Sequence, residues 1–232
     1  MSRPGGRKVR AVLFDGAGTL IYPRETVGET YARFAAAQGV VIPSWRLEDA
    51  FRRTLRAAPP MPIGAASEHA WWRDGVRATF RAADQMQRFA DFEACFEAIF
   101  AYYARPEAWI ATPEIVPVLG VLRSSGRLLA VASNFDHRFH DVFAGLGLTP
   151  HFDLIWLPSN AGVAKPDPRF FTSACERLGV EPAEAVMVGN DLQNDLEPAI
   201  AAGLRAIDIA SLASLAALPE LLDALEREET AD

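Results

Sequence analysis

The feature that most restricts the fold of this chain is a regular alternation of short apolar runs and helical segments beyond Pro113. Residues with the spacing of amphipathic helices occupy 114–124, 138–146, 169–178, 196–202 and 212–228. Strand-like apolar runs lie between them at 128–132, 154–157, 185–188 and 206–209. Strands that alternate with helices of this length predict a parallel, doubly wound, Rossmann-like α/β sheet. The apolar run 9–14 ends at Asp15 and is expected to join that sheet.

A second pattern occupies the chain between about residue 25 and residue 105. Apolar residues recur there at helical spacing, and the Pro-rich stretch 59–62 divides them into two helical pairs. We therefore expect two domains within the 232 residues. Residues 1–22 and 110–232 would form the α/β core domain, and residues 23–109 would form an inserted, all-helical cap domain.

Composition excludes several classes of partner. The net charge of −7 argues against nucleic acid. The longest apolar runs, such as 115–122, are too short to span a membrane. The N-terminus lacks the features of a signal peptide, so we expect a cytoplasmic protein, either a monomer or a homodimer. The two cysteines, Cys95 and Cys175, are expected to be buried free thiols.

Polar residues follow each predicted core strand, where ligands of doubly wound sheets bind. They are the segments 15–20 (DGAGTL), 133–134 (SN), 165–166 (KP) and 189–195 (GNDLQND). In order and position these segments resemble the four signature motifs of the haloacid dehalogenase (HAD) superfamily. One such motif alone is weak, but four in order, each after a predicted strand, form a specific signal. The stretches 133–136 and 165–169 are most similar to the helical-cap subgroup, in particular to the haloacid dehalogenase-like hydrolase domain-containing 3 group.

The resemblance implies a hydrolase that acts on a small anionic substrate through a covalent aspartyl ester. The catalytic residues that it implies are Asp15 as nucleophile, Ser133, Lys165 and Asp195. The substrate-binding residues would be Gly16, Thr19 and Asn134. An Mg²⁺ cofactor would be bound by Asp15, the backbone carbonyl of Ala17, Asn190 and Asp191.

The residue types suit these roles, although some have a simpler explanation. Lys165 is one of only two lysines, and its charge would balance the nucleophile and the substrate anion. Asp191 could equally cap the helix that follows it. Ser133 could make a local hydrogen bond at the strand end, although we favour a role in the site.

Two residues depart from the pattern of the superfamily. Ala17 replaces the second aspartate of the first motif, which serves as general acid in phosphatases. Loss of a general acid costs about 10²–10⁴ in rate. Asn190 replaces the first aspartate of the fourth motif, and an amide oxygen brings no charge to a metal ion. We therefore expect a phosphatase with weakened general acid catalysis, which favours substrates with good leaving groups.

Other members of the superfamily that lack this aspartate suggest alternatives. Phosphonatases use a cap lysine, and residues 23–109 contain none, which excludes that chemistry. Metal-independent 2-haloacid dehalogenases use a cap arginine to hold the substrate carboxylate. Arg46 lies at a similar distance after the nucleophile, but Arg33, Arg52 and Arg53 are also available. A dehalogenase therefore stays open, as does a catalytically impaired binding protein on the same scaffold.

Overall fold

The computed structural model describes residues 8–84 and 88–231, with side chains up to residue 227. Most of the N-terminal segment on which the signal-peptide argument rests lies outside the described residues. The strands are β1 (Ala11–Phe14), β2 (Ile21–Pro23), β3 (Trp109–Ala111), β4 (Leu128–Ala132), β5 (Leu154–Trp156), β6 (Ala185–Gly189) and β7 (Arg205–Asp208). The helices are α1 (Val27–Ala37), α2 (Ser44–Ala57), α3 (Ala65–Ala82), α4 (Phe92–Tyr103), α5 (Ile115–Ser124), α6 (Phe139–Gly145), α7 (Pro158–Ala161), α8 (Pro168–Leu178), α9 (Glu197–Ala201) and α10 (Leu218–Ala231).

Five strands form the central sheet, in the order β5-β4-β1-β6-β7. Every neighbouring pair in it is parallel. Strand β1 lies in the middle, with Phe14 opposite Val131 of β4 on one side and Val188 of β6 on the other. The predicted doubly wound α/β fold is therefore confirmed. The order also places the topological switch point at β1, where the carboxyl ends of β1, β4 and β6 meet.

The central strands are apolar because both of their faces are covered. All four residues of β1 and all five residues of β6 are buried. Leu13 and Met187 belong to a core cluster with Phe170 and Phe171 of α8. Strands buried on both faces have continuous apolar runs rather than alternating ones. This explains why these strands could be located from the sequence.

Helices α1 to α4 have a hydrophobic core of their own. Tyr31, Leu47, Phe80 and Phe96 are at most 2% exposed, and they belong to one cluster. The Thr26 hydroxyl accepts from the backbone N–H of Glu29, whose carboxylate accepts in return from the backbone of Thr26. This capping box fixes the start of α1. The predicted helical region is thus four α-helices within the part of it that the structure describes.

Backbone contacts divide the chain into two compact units. The α/β unit runs to Tyr22, includes Ala111–Asp136 and resumes at Leu146, and the helical unit comprises Pro23–Ile110 and His137–Gly145. Residues His137–Gly145, which the sequence places in the core domain, group with the helical unit. The chain passes from one unit to the other within the short strands β2 and β3. These strands pair in a two-stranded sheet that the sequence does not predict. Three residues each are too few for a recognisable period.

The C-terminal helix α10 is anchored to the α/β unit by a buried arginine. The Arg127 side chain is 3% exposed, and its Nη2 lies 2.6 Å from Asp223 Oδ1 and 3.0 Å from Glu226 Oε1. Glu226 also accepts the backbone N–H of Val9 at 2.9 Å, which ties α10 to the start of β1.

Two predictions from composition can be compared with the structure. Both cysteines are buried free thiols, as expected. Among the described residues, the helices are too short or too polar to span a bilayer.

Candidate active site

Three buried, charged side chains meet beyond the carboxyl ends of β1 and β6. Lys165 Nζ lies 2.7 Å from Asp15 Oδ1 and 2.5 Å from Asp195 Oδ1. The side chains of Lys165, Asp15 and Asp195 are only 2%, 10% and 1% exposed. Charges this far from water persist only when they are paired. We call these three residues the charged triad.

Burial and the neighbouring charges shift the pKa values of Asp15 and Lys165 in the charged triad. Burial by itself raises the pKa of Asp15, the Lys165 ammonium opposes this, and the charge of Asp195 adds to it, so the pKa lies above its usual range. Burial alone would lower the pKa of Lys165, but the two carboxylates outweigh it and raise that pKa. One ammonium between two carboxylates leaves a net charge of −1.

A tight loop after β1 positions the nucleophile candidate. The Asp15 backbone N–H donates to Val188 of β6 at 2.9 Å, which extends the sheet pairing by one residue. The Gly16 carbonyl then accepts from the backbone N–H groups of Leu20 at 2.8 Å and Ile21 at 3.0 Å. Gly18 adopts a φ of +101°, and a Cβ there would lie 2.9 Å from Asn190 Nδ2. A glycine at position 18 therefore satisfies both the backbone conformation and the close approach of Asn190.

The loop after β6 is built around Asp195. Asp195 Oδ2 accepts from the backbone N–H groups of Asn190 at 3.2 Å and Asp191 at 3.1 Å. A Cβ at Gly189 would lie 2.4 Å from the same oxygen, so glycine is required there. Residues Leu192–Leu196 form a π-helical turn, a form frequent at functional sites. With Oδ1 on Lys165 and Oδ2 on the loop backbone, Asp195 holds the site together.

Asp191 has the geometry of a helix cap. Its Oδ1 accepts the backbone N–H groups of Gln193 and Asn194, and its Oδ2 accepts Asn194 Nδ2 at 2.8 Å. Burial would raise the pKa of Asp191, but these hydrogen bonds outweigh it and lower that pKa. Of the two alternatives left open by the sequence, the structure favours capping. Metal binding by Asp191 stays a prediction.

The residues after β4 face the same edge of the sheet. Ser133 is 3% exposed, and its hydroxyl accepts the backbone N–H of Phe135 at 3.3 Å, so the local bond considered above is present. The side-chain amide of Asn134 bonds the main chain of Lys165 at both of its polar atoms. Asn134 Oδ1 accepts from the Lys165 backbone N–H at 2.9 Å, and Asn134 Nδ2 donates to the Lys165 backbone carbonyl at 2.8 Å. Substrate binding by Asn134 therefore stays a prediction.

The structure gathers most of the residues expected in the site and adds one that the sequence does not reveal. Thr19 is fully buried, and its hydroxyl donates to Asn190 Oδ1 at 3.3 Å, which connects the first and fourth motifs. Thr112 donates from its hydroxyl to the Thr19 carbonyl at 3.0 Å, and from its backbone N–H to Leu20 at 2.9 Å. No sequence signal marks Thr112, because it bonds only to backbone atoms.

Tyr22 also lies within the electrostatic reach of the site. Partial burial raises the pKa of its phenol, and the negative charge of Asp15 raises it further. Its side chain remains partly exposed to solvent, at 38%.

Each of the four arginines considered as a substrate anchor forms an ion pair inside the helical unit. The pairs are Arg33–Glu25 at 3.2 Å, Arg46–Asp84 at 3.0 Å, Arg52–Glu48 at 3.0 Å and Arg53–Asp49 at 2.5 Å. Exposed pairs of this kind are weak and exchange readily. The ion pairs do not single out Arg46 as the anchor that a dehalogenase requires.

A parallel α/β sheet interrupted after its first strand by a helical unit, with buried carboxylates and a lysine at the switch point, defines a class of hydrolases. The chain matches the family model of haloacid dehalogenase-like hydrolases over residues 9–203. It belongs to that family and is a hydrolase.

Individual relatives agree with this assignment. The chain is 35% identical over 209 residues to haloacid dehalogenase-like hydrolase domain-containing protein 3 of Mus musculus, covering 88% of this chain and 82% of the relative. It is 29% identical over 203 residues to glyceraldehyde 3-phosphate phosphatase of Methanopyrus kandleri, covering 87% and 84%. The HAD-hydrolase YfnB of Bacillus subtilis, solved bound to magnesium, shares the fold with a TM-score of 0.72 and 18% identity, covering 93% and 99%.

Proposed function

We propose that this hydrolase cleaves small phosphoesters with good leaving groups, through a covalent phosphoryl ester on Asp15. The observation that carries the proposal is the contact of Asp15 with Lys165 at 2.7 Å, inside a buried site at the switch point of the sheet. The phosphatase named above, similar over 87% of this chain, supports phosphate esters as the substrate class.

In this proposal the residues of the site divide the reaction between them. Lys165 donates to Asp15 Oδ1 and favours the ionised form of the carboxyl group, and the other carboxylate oxygen attacks the phosphorus. The bond from phosphorus to the leaving oxygen then breaks. Water cleaves the resulting acyl phosphate at phosphorus, which releases phosphate and restores Asp15. Lys165 and the Ser133 hydroxyl would stabilise the charge on the phosphoryl oxygens.

The methyl group at Ala17 is the reason to expect a preference for good leaving groups. It supplies no proton to the departing oxygen, so an alkoxide would leave unprotonated. Aryl and acyl phosphates reduce this cost, because their leaving groups are much weaker bases than an alkoxide. The Ala17 side chain is exposed, so nothing in the structure prevents a larger residue there.

A divalent cation suits the oxygen atoms at the edge of the site. The Asp15 carboxylate, the Ala17 carbonyl and Asn190 Oδ1 are all hard oxygen donors, as Mg²⁺ prefers. The hydrogen bond from the Thr19 hydroxyl to Asn190 Oδ1 at 3.3 Å connects the Asn190 amide to the loop that carries Ala17, which supports a shared cation site. Bound there, Mg²⁺ would neutralise phosphoryl oxygens. The net charge of −1 on the charged triad favours this, because a phosphate dianion would otherwise be repelled.

The helical unit would complete the enzyme. We propose that residues 23–109 act as a cap that selects small substrates, while residues 1–22 and 110–232 form the catalytic core. The family resemblance supports this division of roles.

The test is release of p-nitrophenol from p-nitrophenyl phosphate, with Mg²⁺ and with chelator. Asp15→Asn should abolish turnover, and Asp208→Asn is its matched control, because Asp208 is the last residue of core strand β7 and caps the next turn. Mg²⁺-dependent turnover that only Asp15→Asn removes would support the proposal. Halide release from a 2-haloacid in chelator would replace it with dehalogenation. Thermal stabilisation by phosphate without any turnover would instead indicate a binding protein.

A further inference from the structure

We propose that Asn134 is a positioning residue, which holds the main chain of Lys165 so that the ammonium reaches both Asp15 and Asp195. This inference rests on the proposed function, in which that ammonium is part of the reacting site. It differs from the expectation that Asn134 binds the substrate directly.

The contacts of the Asn134 amide carry the inference. Its Oδ1 accepts from the Lys165 backbone N–H at 2.9 Å, and its Nδ2 donates to the Lys165 backbone carbonyl at 2.8 Å. One side chain thus satisfies both backbone polar groups of a residue 31 positions away, as a neighbouring strand would. Lys165 itself lies in a turn outside the strands and helices, so a ladder of regular hydrogen bonds does not fix it.

The position of the Lys165 backbone determines where its ammonium lies. Its Nζ lies 2.7 Å from Asp15 and 2.5 Å from Asp195, and both distances depend on where the lysine backbone starts. Displacement by about 1 Å would lengthen at least one of these bonds, and misplacements of that size can cost about 10²-fold in rate. A substrate ligand, in contrast, would change affinity for the anion and leave the lysine in place.

The first readout needs no turnover. The chain has only two lysines, so labelling lysine with ¹³C at Cε gives two signals, and Lys8→Arg assigns them. In Asn134→Ala we expect the pKa of Lys165 to fall below its wild-type value. Burial lowers the pKa of a lysine whose carboxylate partners have moved away. Asn160→Ala is the control, because Asn160 also bonds a backbone N–H through its amide, that of Leu157, and does not touch Lys165.

The second readout is kinetic. Asn134→Ala should lower kcat on p-nitrophenyl phosphate by roughly 10- to 100-fold, with a smaller change in KM. The alkaline limb of its pH profile should move to lower pH together with the titration of Lys165. If Asn134→Ala does not fold, Asn134→Ser serves instead, because its short hydroxyl cannot bridge both backbone groups.

Two results would overturn the proposal. One is an unchanged Lys165 titration with a raised KM or phosphate inhibition constant, which would make Asn134 a substrate ligand. The other is behaviour equal to that of Asn160→Ala in every readout, which would make the amide merely structural. Absence of turnover in the wild type would refute the proposed function, but the titration would still decide the role of Asn134.

Discussion

Replacement of Lys165 by methionine is the perturbation that tests the charged triad most directly. Methionine has a similar length but no charge, so Asp15 and Asp195 would be left facing each other with at most 10% of either side chain exposed. Breaking a buried ion pair by removing one partner costs about 3–5 kcal/mol, because the remaining charge is uncompensated. With a urea slope of about 2–3 kcal/mol per molar, the midpoint of unfolding should fall by roughly 1–2 M at pH 7.

The loss should shrink as the pH falls. Without the ammonium, the pKa of Asp15 in the folded protein should lie further above its value in the unfolded chain. A carboxyl group with a raised folded pKa binds its proton more tightly when folded, so the folded state gains stability with decreasing pH. Lys165→Met should therefore be closer to the wild type at pH 5 than at pH 7.

The assay is urea unfolding followed by circular dichroism at both pH values. Lys8→Met is the matched control, because Lys8 is exposed and its replacement should change stability by no more than about 0.5 kcal/mol. A loss in Lys165→Met that is as small as in the control, or that is equal at pH 5 and pH 7, would refute the argument that two buried carboxylates depend on this ammonium.

Three further predictions follow from the structure. Ala17→Asp should raise turnover of an alkyl phosphate by about 10² or more and affect p-nitrophenyl phosphate much less; equal turnover of alkyl phosphate in a folded, Mg²⁺-binding variant would count against the missing-acid account. Asn190→Asp should tighten Mg²⁺ binding by calorimetry, because it adds a charge to the donor set, and unchanged affinity would place the cation elsewhere. Arg127→Met should lower the stability of the protein by about 1–3 kcal/mol, since its guanidinium bonds Asp223 and Glu226; wild-type unfolding would show that α10 is held by packing alone.

The fold could be predicted from the sequence because its central strands β1, β4 and β6 are buried on both faces. The runs 128–132, 154–157, 185–188 and 206–209 agree with β4 to β7 to within one residue at each end. Apolar runs between turn residues give a strong local signal. The strands β2 and β3 gave none, because they are three residues long and each has a partner remote in sequence.

The sequence indicates which loops meet at the candidate site, but it does not give their geometry. Asp15, Ser133, Lys165 and Asp195 lie in the loops that follow predicted strands, which makes them candidates for the site. The parallel sheet explains why these loops meet. What each side chain bonds to could not be read from the sequence. The Asn134 amide binds a backbone 31 residues away, and Thr112 bonds two carbonyls of the loop after β1. Such contacts depend on loop paths that no local pattern encodes.

The acids that this site retains lie at buried positions, whereas the superfamily acids that it lacks would lie at exposed positions. Asp15 and Asp195 are buried around Lys165, so loss of one partner costs stability as well as chemistry. Positions 17 and 190 are exposed, so replacing an acid by Ala17 or Asn190 costs the fold little. The charged triad should therefore contribute to the stability of the fold whether or not the enzyme turns over.

For that reason substitutions at the exposed positions 17 and 190 test catalytic competence with less effect on stability than substitutions in the charged triad. The double variant Ala17→Asp, Asn190→Asp should unfold near the wild-type midpoint, yet gain Mg²⁺-dependent turnover of alkyl phosphates beyond either single variant. The added carboxylate at 17 would supply the proton, and the one at 190 would bind the cation. Unfolding curves and steady-state rates on the same preparations separate the two effects. A double variant that binds Mg²⁺ tightly and remains stable, but turns over no faster than the wild type, would refute the argument that Ala17 and Asn190 limit the rate.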